Sequence, residues 1–130
     1  MALGDRELAA LRQLHALARR RERRLAAALS AMQAEAAALD DAVRACRERS
    51  AQLYASWETA LARCGMHDRQ DFEALRGEAD GLRAQVAQTQ QTCADLLRQR
   101  EALAQRIAAQ REAIRANAMK QEKLTALLPV

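Results

Sequence analysis

The chain of 130 residues has little of anything that interrupts a helix. Its single proline, Pro129, is next to last, and of four glycines only Gly65, Gly77 and Gly81 lie away from the opening residues. Strands are excluded as well: β-branched residues are sparse and nowhere alternate with polar ones, the pattern a half-buried strand needs. Only three aromatic residues are present, Tyr54, Trp57 and Phe72. Half of the residues are hydrophobic, but many of those are alanines, so the large side chains that fill a wide globular interior are missing. No apolar stretch approaches the roughly 20 residues of a membrane span. The opening Met1-Ala-Leu-Gly-Asp-Arg-Glu runs straight into charge, where a signal peptide would turn apolar. Three cysteines, an odd number at helical positions, read as reduced thiols used as small apolar residues. The expectation is an all-α, soluble, intracellular protein of one domain at most.

Reaction chemistry is equally scarce. There is no Gly-rich phosphate loop, no His-Glu-x-x-His and no nucleophile with a base at a plausible spacing, so neither catalysis nor a cofactor is expected. Cys64-x-x-His67-Asp68 offers three metal-ligand types, but without a second cluster it does not make a metal site.

What the chain does have is a ladder. Leu11, Ala18, Leu25, Met32, Leu39, Cys46, Leu53 and Ala60 recur every seven residues, with Leu8, His15, Glu22, Leu29, Ala36, Val43, Ser50 and Trp57 three residues ahead of them. These are the d and a positions of a heptad repeat, a narrow seam down one side of a helix that must be covered by a second helix. Only His15, Glu22 and Ser50 are neither apolar nor small. Asp5 is the expected N-cap, with Glu7 in the first turn, and nothing breaks the helix until about Arg63, which gives a rod on the order of 85 Å long. Gly65 and Asp68 then read as C-terminal stop and N-cap across a turn at 64–68. A second helix, about 69–127, carries a matching seam: Phe72, Leu75, Ala79, Leu82, Val86, Thr89, Cys93, Leu96, Arg100, Leu103, Ile107, Gln110, Ile114, Asn117, Gln121 and Leu124. The fold expected is therefore two long helices in an antiparallel coiled-coil hairpin over 1–130. Gly77 and Gly81 lie off the seam, where local bending or fraying is expected.

An antiparallel seam permits only registers seven residues apart. Folding about Met66 pairs positions whose numbers sum to 132. This sets Ala60 against Phe72 and Ala18 against Ile114, small facing large, and groups the polar layers as Glu22 with Gln110 and His15 with Asn117. A sum of 139 sets Leu39 against Arg100, Leu29 against Gln110 and Ala60 against Ala79, worse on packing and on buried polarity. The sequence therefore favours 132. In that register His15 and Asn117 form a register-setting polar pair, and Cys46 and Cys93 are about 10 Å apart along the axis, too far to join.

The densest charge is Arg19, Arg20, Arg21, Arg23 and Arg24, at heptad positions e, f, g, b and c. With Arg106, Arg111 and Arg115 placed at the same height by the 132 register, these side chains make a positive collar near the end that holds both termini. It is either a solvated surface or a contact for a partner. Nucleic acid fits poorly, because no stacking aromatics lie nearby and Glu22 and Glu112 interrupt the band. A belt facing all ways suits an acidic ring enclosing the rod. At the other end Trp57 and Phe72 are expected to seal the seam, whereas Tyr54, Leu61 and Leu97 flank it as a docking face or the start of a dimer interface.

From Asp5 to Leu128 the chain resembles the FliJ/YscO (SctO) family of flagellar and injectisome type III secretion. The resemblance rests on length, arginine- and alanine-rich composition, the hairpin plan, the opening Leu8-x-x-Leu11-x-x-Leu14 followed by Arg19 to Leu25, and termini gathered at one end. It implies a non-enzymatic, cytoplasmic protein, peripheral to the secretion apparatus at the inner membrane and similar to the γ coiled coil of a rotary ATPase. The terminal end would enter the pore of the hexameric secretion ATPase and promote its activity, the tip would face the cytoplasmic ring of the export gate, and export chaperones are further implied partners. Read on to this chain, the ATPase-binding residues are the eight arginines of the collar, and the gate-facing ones are Tyr54, Leu61, Trp57 and Phe72. The other reading of the residues is a self-associating coiled-coil scaffold, adaptor or secretion chaperone.

Overall fold

The computed structural model describes residues 3–64 and 69–129. Two α-helices account for nearly all of them: α1, Asp5–Cys64, and α2, Arg69–Leu127. They pack along their seams as an antiparallel coiled-coil hairpin. The turn expected around Gly65 and Asp68, and with it His67, lies outside the described residues. At the start of α1 the Leu8 N–H donates to the Gly4 carbonyl at 3.0 Å. Gly4 therefore holds the N-cap position and Asp5 the first helical one, so the helix starts a residue earlier than the sequence implied. Asp5 and Glu7 both stand in the first turn, where carboxylates face the positive end of the helix dipole. At the far end of α2 the Leu128 N–H is shared between the Leu124 and Thr125 carbonyls, at 3.2 and 3.3 Å, just before Pro129. α2 continues through Gly77 and Gly81 without a break.

The chain divides into two compact units, one made of residues 1–36 and 102–130, the other of 37–101. In the first, here the terminal unit, the seam positions of α1 are covered in heptad order, with Glu22 alone turned out to solvent. Ala18, Ala36, Leu103, Ile107 and Leu124 are buried, Leu103 most completely at 2% exposure. Asn117 is buried among them and its amide donates to the Ala18 carbonyl at 2.8 Å. The Gln110 amide likewise donates to the Leu25 carbonyl at 3.0 Å, and Gln121 donates to the Glu22 carboxylate at 3.1 Å. His15 bonds the Thr125 hydroxyl at 3.2 Å, not Asn117.

In the second unit, here the middle unit, Val43, Ala60, Ala79 and Val86 are buried. Cys46 faces Cys93 across the seam and donates to the Thr89 carbonyl at 3.4 Å. Arg100 reaches Asp40 at 2.8 Å. The Arg83 guanidinium lies 6.0 Å from the Trp57 ring centroid, and Tyr54 meets Trp57 edge-on at 5.5 Å.

These contacts place the helices one heptad away from the expected register. Cys46 with Cys93 sums to 139, and Asp40 with Arg100, Trp57 with Arg83 and His15 with Thr125 each fall within one residue of it. The carbonyls of Ala18, Leu25 and Thr89 point along their own helices toward the following turn, so the bonds they accept belong to the same register. The features that counted against it prove harmless. Arg100, opposite Leu39, is not buried: its stem lies along the seam and its guanidinium emerges to Asp40 with the side chain 31% exposed. Gln110 and Asn117 are each supplied with a backbone acceptor, and Glu22 is outside altogether. Ala60 and Ala79, opposite each other, are nonetheless among the best covered residues, at 3% and 1% exposure. Phe72 does not seal the seam, remaining 39% exposed. In this register its partner position would be 67, which lies outside the described residues.

Candidate functional site

Among the described residues no three His, Cys, Asp or Glu side chains gather as a metal site, and no helix is long and apolar enough to cross a membrane. Two surfaces remain, one in each unit.

The terminal unit carries the basic one. It holds twelve lysines and arginines against six aspartates and glutamates, a net charge of +6, whereas the middle unit has nine against eleven, or −2. The chain's modest overall charge thus conceals a segregation that counting by unit would have revealed in the sequence. Arg19, Arg20, Arg21, Arg23 and Arg24 are all exposed, and among the described residues none of them forms an ion pair. Their heptad positions turn them to every outward direction of α1. Arg12, Arg19, Arg20 and Arg23 line one shallow groove together with His15 and Ala16.

The observed register alters which residues of α2 stand beside them. Level with Arg19 to Arg24 are Arg115 to Lys120, so Arg115 keeps its place in the collar. Arg106 and Arg111, exposed as expected, lie level with Gln33 and Ala28 instead. Arg115 is engaged with Glu112 at 3.0 Å, a helical i, i+3 pair in which both side chains are well exposed. Lys120 and Lys123, which sequence reasoning passed over, take the vacated places on α2. The basic surface is accordingly a staggered band along the terminal unit, not a ring of residues at one height.

In the middle unit, Tyr54 and Leu61 follow each other at e positions, 46% and 47% exposed. Trp57 is half-buried between the seam and Tyr54. Beside them runs an open groove lined by Ala55, Ser56, Thr59, Ala60, Arg63, Glu78 and Leu82. Phe72 and Leu97 are exposed as well. Of the four residues expected to face a second partner, the structure brings Tyr54, Trp57 and Leu61 into one strip of α1.

Known protein families, curated proteins and solved structures contain no match to this chain.

Proposed function

We propose that the protein is the central stalk of a type III secretion ATPase, non-enzymatic in itself. The observation that carries the reading is the charge of the terminal unit: +6, displayed by arginines that point outward in every direction, of which Arg19, Arg20, Arg21, Arg23 and Arg24 lack acidic partners among the described residues. Unpaired guanidiniums are good ligands for carboxylates that converge from several sides, because each retains its full set of donors. The inner wall of a hexameric ring presents carboxylates in that arrangement if it is acidic. In this reading the terminal unit enters the ATPase pore, and the Tyr54, Trp57, Leu61 strip, with Phe72, meets the export gate. Chaperones of the exported proteins are candidates for the remaining exposed leucines.

The test mixes the purified protein with the cognate ATPase and follows hexamer formation and ATP hydrolysis. Both should rise with wild type, the effect should weaken with salt, and Arg20→Glu with Arg23→Glu should remove it. No change in either measurement with wild type would end the reading.

A second reading is supported by Leu14 and Leu17, one turn apart in the terminal unit and 45% and 49% exposed. Such a pair can close a homo-oligomer, which would make the protein a self-associating scaffold, adaptor or secretion chaperone. A monomeric mass across a wide concentration range would count against it.

A further inference from the structure

The middle unit sets two of the three cysteines against each other across the seam. Cys46 and Cys93 share a layer, one on each helix, in the register that the neighbouring contacts fix. That placement is fixed by more than the sulfurs. Cys46 also donates to the carbonyl of Thr89, one turn before Cys93, and Arg100, seven residues beyond Cys93, holds Asp40, six before Cys46. Both cysteines are only half-buried. The next layer, Ser50 with Thr89, is polar, and a groove lined by Cys46, Arg49, Gln85, Gln88, Thr89 and Thr92 opens the seam to solvent beside the thiols.

We propose that Cys46 and Cys93 are a cross-helix dithiol, oxidised by peroxide-class oxidants to an intramolecular disulfide that clamps α1 to α2 within the middle unit. Neither sulfur has to travel far, since a disulfide joins residues whose side chains already meet. The groove admits a small oxidant, and the thiolate is the form of the thiol that reacts.

The step is conservative in atoms. The thiolate of one cysteine attacks the O–O bond of hydrogen peroxide, an S–O bond forms, and the departing hydroxide takes a proton to leave as water. That sulfur, oxidised by two electrons, is now a sulfenic acid. The other cysteine attacks it, the S–S bond forms, the S–O bond breaks, and the hydroxide that leaves takes up the second thiol's proton. Two thiols and one peroxide give one disulfide and two waters. The pKa of Cys46 is raised, first by its interaction with Cys93 and then by burial, as befits two thiols set against each other. Cys64 takes no part: it lies 18 residues further along α1, about 27 Å away by helix rise.

The experiment uses full-length protein carrying Cys64→Ser, treated with hydrogen peroxide, and reads free thiols by maleimide labelling, intact mass, and thermal melting. Expected are loss of both thiols, a mass lower by two hydrogens, a Cys46–Cys93 cross-linked peptide, and a melting temperature raised by on the order of 10 °C, since the bond closes a long loop of the unfolded chain. Dithiothreitol should reverse all of it. Cys46→Ser and Cys93→Ser in the same background should each give no intramolecular cross-link. The proposal is overturned if both thiols stay labelled in folded protein, if they gain oxygen separately, if the product is a covalent dimer, or if the oxidised form melts no higher than the reduced one.

Discussion

Replacing Asn117 by leucine tests the account of the seam most directly. Asn117 is buried at 6% exposure and gives one amide hydrogen bond, 2.8 Å long, to the Ala18 carbonyl. That carbonyl also belongs to the α1 ladder, so removing the amide leaves no orphaned acceptor. The loss is one ordinary hydrogen bond, about 1 kcal/mol. Against it stand the transfer of a leucine side chain from water, about 1.5–3 kcal/mol, and a gain of roughly 0.5 kcal/mol in helix propensity. Asn117→Leu should therefore stabilise the protein by about 1–2 kcal/mol, a rise in melting temperature of several degrees, followed by circular dichroism during thermal and urea unfolding. Specificity should suffer in exchange, because a polar residue at a core position favours one register over its neighbours. Spin labels at Ser30 and Ala109, level in the observed register, should give one short distance in an otherwise cysteine-free wild type. With Asn117→Leu a second population should appear, displaced by about 10 Å along the axis. If the variant is instead less stable than wild type by more than about 1 kcal/mol, the amide contributes more than a single bond at this layer and the reasoning fails.

Leu103→Ala, at a position 2% exposed, should cost about 2–4 kcal/mol in denaturant unfolding, whereas Leu97→Ala, 42% exposed, should stay within about 0.5 kcal/mol of wild type. A Cβ added at Gly77 or Gly81 meets nothing within 4 Å, so Gly77→Ala and Gly81→Ala should each raise stability by up to about 1 kcal/mol, additively, as read from melting curves. Arg100→Ala removes an ion pair whose partner Asp40 is 53% exposed; it should cost under about 1 kcal/mol, and double-mutant cycles with Asp40→Ala should show the coupling shrinking with added salt.

The helices, the seam and almost every residue on it were legible, because a heptad pattern is a statement about one helix at a time and needs no knowledge of its partner. Glu22 and Phe72 are the exceptions. A long carboxylate can turn out of the seam into water, and an aromatic at the end of a helix is covered only if the opposite helix reaches that far. Register was not legible by matching volumes. Matched that way, Arg100 and Gln110 count as buried polar groups against leucines, yet a long side chain can leave the seam and an amide can bond a carbonyl of the facing helix. The same slip displaced Arg106 and Arg111 from the collar and brought Cys46 to Cys93. The exposure of the arginines, by contrast, followed from heptad position alone and survives the change of register.

Stacked layers of this kind constrain how the gene can change length. Deleting one residue inside either helix rotates everything beyond it by about 100° and turns the seam away from its partner, so single-codon insertions and deletions between residues 8 and 60 should be disabling. Seven residues lost from α1 together with the seven that face them on α2 would leave every remaining layer matched. Descendants of this sequence can thus grow or shrink in paired steps of seven, while the ends beyond the seam are free to vary one residue at a time.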